Sequence, residues 1–421
     1  MNKEIYDLFG YGGLTPEVVE YLIGLLKNNQ SFEFVELFHR LKNFYERWCK
    51  GEFIENIINN ESTALPQQKS FQLSKYQIML GQRKVDVYTG LNIMILLLEL
   101  HRYALKQDDI SQDIIFKPFG EEGEYCYIIN YSDSFRVGTF NSIVGKFLDC
   151  ANLRGVNLSY VNLRGVGLIR ADLSGADLAD SNLKGADLSS AEASGTIFKN
   201  ANLSRADLNK TKLQEADLRD AEIEDANLSG AALRGAKFNN SNLNSANLSG
   251  ADLRGANLSG ADLRNANLES AKLDSANFNG AHLGDANLRY VSLNRANFKN
   301  TNLQGADISE ATGEKTNFEN ANLSRANLTQ STLQKVTFCG ADLSRADFSK
   351  ADLAKANFKE ADVRGAILQE ANLKNVNLNG ATLVGINFQG TNLEQITYDD
   401  YTNWRFSRNL DKAHNVPEEI G

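Results

Sequence analysis

The stretch ANLSGADLRGANLSGADLRN, Ala246 to Asn265, carries a leucine at every fifth residue. The same register runs without a slip from Ala151 to Asp400, which makes 50 five-residue units, here called pentads. The central position of each pentad, at numbers ending in 3 or 8, is usually Leu or Phe, and the position two residues earlier is usually Ala. Asn or Asp stands between them in most pentads. A period of five matches neither the helical repeat of about 3.6 residues nor the strand repeat of about 2.

Each pentad is predicted to form one short side of a coil. Its small and central residues are two apart, as on one face of an extended segment. The residues that follow are polar or small, which suits a turn. We therefore expect Ala and Leu to point inward on every side.

The phenylalanines indicate how many sides a coil has. Nine central positions hold Phe, and seven of these are separated by multiples of 20: Phe198, Phe238, Phe278, Phe298, Phe318, Phe338 and Phe358. The other two, Phe348 and Phe388, are 40 apart and offset from the seven by ten. A four-sided coil, built from four pentads, places the seven in one column. Fifty pentads then make about 12.5 coils, a rod about 60 Å long at a spacing of about 4.8 Å.

The A(D/N)LXX pattern resembles the pentapeptide repeat family, and the resemblance covers residues 151–400. It implies a mainly β fold, a right-handed quadrilateral parallel β-helix whose cross-section is similar to that of B-form DNA. It does not imply one function, because function resides in sites rather than in folds.

The repeat is predicted to lie between two different segments, giving domains at 1–147, 148–400 and 401–421. Three helices are expected in the first: one with Thr15 as N-cap and Pro16 at its first position, one between Ser31 and Gly51, and one in TGLNIMILLLELHRYALKQ, which starts at Thr89. The alternating stretches DIIFKPF, GEYCYIINY and SFRVGTF predict short strands that cap the first coil. LGQRKVDVYTGLN and LLLELHRYA are similar to the segment that precedes pentapeptide repeats in cyanobacterial proteins, which implies a cyanobacterial source.

The sequence offers no chemistry typical of an enzyme. Its four histidines and four cysteines lie at no metal-ligand spacing, so neither a metal nor another cofactor is expected. The stretch nearest to a phosphate-binding loop, Val144-Gly145-Lys146-Phe147, lacks the upstream glycine, where Phe140 stands, and the Ser or Thr after the lysine. A smooth coil offers no concave pocket, and an enzyme would need its site in residues 1–150. No signal peptide or membrane span is predicted, so the cytoplasm is the expected compartment and no membrane contact is expected.

Charge distinguishes two classes of binding protein. Residues 151–400 contain 26 Lys plus Arg and 30 Asp plus Glu, a net charge of 26 − 30 = −4. A duplex of the same length carries on the order of 35 negative charges. Some family members imitate DNA and inhibit DNA gyrase, and this remains the alternative function, which the mixed charge disfavours. The acidic balance of the whole chain, −9, also argues against nucleic acid as a partner.

We interpret the chain as a scaffold or regulatory module that binds a protein partner. Arg295, Lys315, Lys335 and Lys355 are 20 apart, so they should stack as a basic strip for an acidic partner, with Glu314 and Glu310 relieving part of the repulsion. A solvated face without a partner is the alternative. Tyr398, Tyr401, Trp404 and Phe406 are expected to cap the last coil of a monomer, or to form the contact of an end-to-end dimer.

Two central positions lack a large side chain, and they are 120 apart in one column: Ala193 and Gly313. Each is followed by Thr at the next small position and Phe at the next central one, Thr196 and Phe198 or Thr316 and Phe318. The pattern favours volume compensation by the phenylalanine ring over a ligand-binding notch.

Overall fold

A computed structural model describes residues 5–10, 12–27, 33–50, 82–104, 106–107, 110, 112–116, 129, 132 and 139–420 of the chain. The chain divides into two compact units, Met1–Glu192 and Ala193–Gly421. The predicted domain boundary at 147/148 falls inside the first of these units, which holds the helices and the first pentads.

The helices whose bounds the structure describes in the first unit are α1 (Ile5–Phe9), α2 (Pro16–Lys27), α3 (Phe34–Cys49), α4 (Gln82–Ala104) and α5 (Thr139–Ile143). The Thr15 cap of α2 is confirmed, because its hydroxyl accepts the Val18 N–H at 3.4 Å. Helix α3 has Glu33 at its N-cap without a side-chain hydrogen bond, while the predicted limits Ser31 and Gly51 lie outside the described residues. Helix α4 starts at Gln82, well before the predicted start at Thr89.

Helix α4 forms the centre of the helical region. Ile93, Met94 and Leu97 have no exposed surface, and the Asn92 side chain accepts the Leu14 N–H at 2.8 Å. At Gly90 the helix approaches α3 so closely that a Cβ atom would lie 2.1 Å from the Trp48 ring. Glycine is therefore required where the two helices meet.

The prediction of strands before the first coil is wrong where residues are described. Ile129, Ser132 and the segment Thr139–Ile143 are helical, and residues 113–116 form no strand. Phe140, Ile143, Val144 and Phe147 are all buried, and their spacing is that of one helix face. The rest of the three stretches lies outside the described residues.

Among the described residues, side-chain hydrogen bonds join the first coil to the helices. Arg102 of α4 donates to the Asp149 carbonyl from Nε at 2.8 Å and also reaches the Phe147 carbonyl. Asn141 of α5 donates to the Asn162 carbonyl at 3.0 Å. These donors satisfy carbonyls at the start of the coil that no described backbone N–H pairs with.

The pentads form four-sided coils, each made of four consecutive pentads. Parallel bridges join residues 20 apart in each compact unit, from Asn152↔Asp172 to Asn377↔Thr397. Each side contributes a single bridge residue, at numbers ending in 2 or 7, and no longer strand occurs in the described part of the chain. A turn uses part of every pentad, which leaves no room for a longer strand. The central and small positions are buried, as the pattern predicts, except for the last central residue, Tyr398, which is half-buried.

The bridge position explains the recurrent Asn and Asp. Their side-chain Oδ1 accepts the backbone N–H two residues later, as in Asp172 to Ser174 and Asp307 to Ser309, both at 3.0 Å. This local hydrogen bond fixes the turn. The turn ends at a residue with positive φ, such as Gly255 or Asn265.

The phenylalanine column of the second compact unit is confirmed. Ring centroids lie 4.7 Å apart for Phe278 and Phe298, 5.0 Å for Phe298 and Phe318, and 5.2 Å for Phe318 and Phe338. Phe348, from another side, meets Phe338 edge-on at 5.9 Å. The core of this unit is therefore an aromatic stack with aliphatic neighbours.

The C-terminal tail continues the coil in a looser register. Thr382 bridges Asn403, Asn387 bridges Arg408 and Asn392 bridges His414, so each pair is spaced slightly more widely than in a regular coil. One-residue insertions hide this part of the coil from a strict five-residue pattern. A short 3₁₀ helix, Leu410–Lys412, fills one of the corners.

Four bridge-position aspartates form ion pairs with the arginine two residues later: Asp217–Arg219, Asp252–Arg254, Asp262–Arg264 and Asp362–Arg364. The hydrogen bond from the arginine is the largest cause that holds the pKa of each aspartate below its ordinary value. Because the pKa is depressed in the folded state, the stabilisation is present above the unfolded pKa of about 3.9 and is lost as pH falls through the folded value.

We expect the free energy of unfolding to fall as the pH decreases below about 4. Replacing all four aspartates by Asn should make this dependence shallower, because Asn still accepts the turn N–H but cannot titrate. Urea unfolding of both proteins between about pH 6 and pH 3 measures the difference. Equal slopes would contradict the assignment.

Candidate docking surface

The basic strip consists of Arg295, Lys315, Lys335 and Lys355. These residues lie at one corner of the four-sided coils in the second compact unit, where a corner is the turn between two sides. The Arg295 N–H donates to the Glu314 carbonyl at 2.9 Å, and the Lys315 N–H donates to the Gln334 carbonyl at 3.2 Å. The backbone N–H of each of these strip residues thus donates to the residue just before the next member of the strip. This places the four strip residues one above another in successive coils. All four are exposed.

One acidic side chain partly neutralises the strip. Glu314 accepts a hydrogen bond from Lys335 Nζ at 2.5 Å, and this bond is the main cause that lowers the pKa of Glu314. Glu310 instead lies 3.7 Å from Arg289, so only the first of the two expected acidic neighbours contacts the strip. Arg295, Lys315 and Lys355 form no ion pair with any residue that the structure describes, and they leave an excess of positive charge on this corner.

Backbone preference does not explain the choice of residues in the strip. All four have φ between 57° and 63°, the left-handed region that favours Gly, Asn and Asp. Earlier coils carry Gly235 and Gly255 at the same corner. Residues as different as Tyr160, Glu215 and Ser275 have the same conformation at other turns, so the distinctive feature of the strip is its four cations in successive coils.

The four aromatic residues predicted at the C-terminal end fall into two pairs. Trp404 lies over Phe388 at 5.8 Å and meets Tyr398 edge-on at 5.8 Å, so these residues cover the last part of the core. Tyr398 also donates to Glu419. Tyr401 and Phe406 are 84% and 79% exposed, which leaves them available for a contact with another molecule.

No candidate for catalytic or metal chemistry emerges within the described ranges. No group of three His, Cys, Asp or Glu could hold a metal ion there, and no described helix is long and apolar enough to cross a membrane. His101 is buried, with Nδ1 2.8 Å from the Ile114 carbonyl. Burial raises the pKa of the Cys339 thiol, and Cys126 lies outside the described residues.

A depression of about 520 Å³ lies beside α3 and is lined by side chains such as Glu36, His39 and Arg40. Its described lining residues all come from this one helix and its N-cap, Glu33. Glu36 is ion-paired with Arg40. Among the described residues, no second element contributes a side chain to this depression, whereas an active site usually combines groups from several elements.

Comparison with known proteins identifies the repeat. A family profile described as pentapeptide repeats matches residues 148–185, 168–205, 201–240, 241–280, 321–359 and 356–395, and one described as a pentapeptide repeat region matches residues 261–338. No curated protein matches the chain.

Several solved structures are similar to the chain. HetL, a pentapeptide repeat protein involved in heterocyst differentiation regulation from the cyanobacterium Nostoc sp. strain PCC 7120, is 28% identical, covering 60% of this chain and 89% of HetL, with a TM-score of 0.23. A pentapeptide repeat protein of the Arabidopsis thaliana thylakoid lumen is 34% identical over 24% of this chain and 70% of its own, with a TM-score of 0.24. Full-length QnrB1, a plasmid-mediated fluoroquinolone resistance protein, is 20% identical over 52% and 92%, with a TM-score of 0.20. The superpositions are too poor to transfer any site.

Proposed function

Because the chain belongs to the pentapeptide repeat family, we propose that it is a non-enzymatic scaffold or regulatory module whose basic strip docks an acidic segment of a protein partner. The family's fold is a right-handed quadrilateral β-helix, and proteins built on it are generally structural or binding modules. The proposal places the protein in the cytoplasm.

The observation that carries the proposal is the placement of charge in the basic strip. Four long cations occupy left-handed turn positions in successive coils, and Glu314 contacts a single one of them, Lys335. Stacked like charges about 4.8 Å apart repel one another, so the strip costs stability in the isolated protein. An acidic segment laid along the corner would relieve this repulsion and would find cations at regular spacing.

The alternative function, inhibition of a DNA-binding enzyme by imitation of DNA, has less support. It requires a continuous acidic face, whereas the corner of the basic strip is cationic and the residues 151–400 have a net charge of −4. Arg219, Arg254 and Arg264 neutralise the bridge-position aspartates beside them. The repeat therefore presents mixed charge where a mimic needs a single sign.

The exposed aromatic residues at the C-terminal end extend the proposal to self-association. Trp404 covers the last core residues, which is sufficient for a monomer, while exposed Tyr401 and Phe406 would be buried in an end-to-end dimer. Both states are compatible with docking along the corner.

Reversal of two strip charges tests the proposal. The double variant Lys315→Glu, Lys335→Glu should bind the partner about tenfold more weakly, a change of about 1.4 kcal/mol, because the acidic segment then meets Glu314 and two further carboxylates. The partner is captured from native cells by cross-linking to the full chain and identified by mass spectrometry, and its affinity is then measured with purified proteins at several salt concentrations.

Lys210→Glu, Lys350→Glu is the matched control. Both lysines are exposed and occupy left-handed turn positions, with φ of 56° and 62°, but they lie on another corner. The control makes the same change in net charge and should retain affinity. Equal affinity of the strip variant and the wild type, or an equal loss in the control, would exclude the basic strip as the docking surface.

A further inference from the structure

We propose that an arginine cluster in the second compact unit, Arg325, Arg345 and Arg364, is a binding site for a phosphate group. The cluster lies two sides of the coil away from the basic strip. This inference goes beyond the proposed docking function, since it concerns a different surface and a specific ligand chemistry.

The backbone brings the three arginines together. The Arg325 N–H donates to the Ser344 carbonyl at 2.9 Å, and the Arg345 N–H donates to the Arg364 carbonyl at 2.9 Å. Arg325 and Arg345 therefore occupy the same corner in adjacent coils, and Arg364 follows in the next coil. The three line one open depression of about 420 Å³.

Two of the guanidinium groups are unpaired within the described structure. Neither Arg325 nor Arg345 makes a side-chain hydrogen bond or an ion pair to a described residue, although they are one coil apart. Arg364 is held by Asp362, which accepts from its Nε at 2.8 Å and from its Nη2. The third nitrogen of Arg364, Nη1, makes no hydrogen bond to the described residues.

The neighbouring turn positions leave the cluster accessible. Gly305 precedes Arg325 and Gly365 follows Arg345 in the column of this corner, and neither carries a side chain of its own, although the Asp285 carboxylate of the preceding coil lies over Gly305. Arg325 and Arg345 themselves have φ of 62° and 61°, where glycine or asparagine is favoured. As in the basic strip, the backbone does not account for arginine at these positions.

The remaining side chains of the depression are polar. Gln304, Ser324 and Ser344 supply neutral hydrogen-bonding groups, and Asp342 supplies a carboxylate. The pKa of Arg364 is raised mainly by its hydrogen bond to Asp362 and in smaller part by the negative charge of Asp342. Three arginines against these two aspartates leave a net charge of 3 − 2 = +1 at the site.

A phosphate group is the ligand that fits this chemistry. Planar guanidinium groups bind phosphate oxygens through two parallel hydrogen bonds, and arginine is preferred over lysine where such recognition is needed. The polar lining offers no apolar wall for a hydrophobic ligand. The phosphate can belong to a phosphorylated side chain of a protein or to a free phosphate compound, and both present the same oxyanion.

Binding of two probes to the full-length protein tests the site. Inorganic phosphate is followed by ³¹P line broadening, and a short Gly-Ala peptide with one phosphoserine is followed by fluorescence anisotropy beside its unphosphorylated form. We expect saturable binding of a phosphate-bearing probe and at least a tenfold loss in the double variant Arg325→Gln, Arg345→Gln. A phosphopeptide that binds more tightly than inorganic phosphate indicates a phosphorylated protein, and equal affinity indicates a free phosphate compound.

Two further variants make the test specific. Lys210→Gln, Lys350→Gln removes the same charge from another corner and should retain binding. Arg325→Lys, Arg345→Lys keeps the charge but removes the planar fork, so it should bind more weakly than the wild type. Absence of saturable binding to both probes, or an equal loss in the control on another corner, would overturn the proposal. Circular dichroism verifies that each variant is folded, and exposed arginines are not expected to affect folding.

Discussion

Phe298→Ala is expected to destabilise the second compact unit by about 3–5 kcal/mol. The Phe298 ring is fully buried and is stacked between Phe278 at 4.7 Å and Phe318 at 5.0 Å. Truncation removes the buried ring, leaves a cavity that a hydrogen-bonded coil cannot close, and breaks two stacking contacts worth about 0.5–1.5 kcal/mol each. Urea unfolding monitored by circular dichroism measures the loss.

Phe298→Leu is the matched control for this truncation. Leu218 and Leu258 occupy the same column, so the coil accepts leucine at this position. We expect the leucine variant to cost less than half as much as the alanine variant. If the two variants are equally unstable, the cavity is not the cause. If Phe298→Ala behaves like a surface substitution, the column does not determine stability.

The effect should also be local. In a repeat protein, stability is approximately the sum of contributions from each repeat and from its contacts with neighbours. Loss of Phe298 should therefore weaken the coils around it more than the distant coil that holds Phe388. Amide hydrogen exchange can distinguish a local opening from a uniform loss of protection.

The repeat could be predicted from sequence because its structural signals are periodic. Leucine at every fifth residue fixes the inward face, and the regular spacing of Phe278, Phe298 and Phe318 fixes the number of sides. The tail was not predicted because one-residue insertions place Asn403 one position beyond the regular spacing from its bridge partner Thr382. A search for a strict five-residue period fails at such an insertion. Backbone hydrogen bonds between adjacent coils can still form across it.

The helical region shows the opposite case. The alternation in SFRVGTF predicts a strand, yet Thr139 and Phe140 start helix α5. The helix is selected by the burial of the Phe140 and Ile143 side chains. Their burial depends on which residues pack against them, and a short stretch of sequence does not contain that information. Local propensity is a weak guide when tertiary packing selects the conformation.

The two basic surfaces differ in how visible they are in the sequence. The basic strip appears as a single column at regular intervals, so arithmetic alone finds it. The arginine cluster combines Arg325 and Arg345 of one column with Arg364 of the neighbouring column, one position short of a full coil beyond Arg345. It is recognised when the coil places these two columns beside each other and shows which arginines have ion-pair partners.

Gly313→Leu is expected to destabilise the second compact unit by about 1–3 kcal/mol through overpacking. A Cβ atom at Gly313 would lie 2.4 Å from Leu293 Cδ1 and 2.7 Å from Thr316 Oγ1. The atoms nearest to this space thus belong to Leu293, one coil earlier, and to Thr316. Thr316 Oγ1 also donates to the Leu293 carbonyl at 2.7 Å, and a larger residue would disturb this buried hydrogen bond. The free energy of unfolding of the variant measures the effect.

A double-mutant cycle separates overpacking from other causes. Leu293→Ala should be destabilising alone, because it removes the side chain that fills the space at Gly313. Combined with Gly313→Leu, it exchanges the large and small residues between adjacent coils, so part of the lost stability should return. A neutral or stabilising Gly313→Leu variant would instead reveal an unfilled cavity and favour a ligand notch. Additive losses in the double variant would show that Leu293 does not occupy the space at Gly313. Recovery of stability in the double variant would show that Gly313 is required for packing against Leu293.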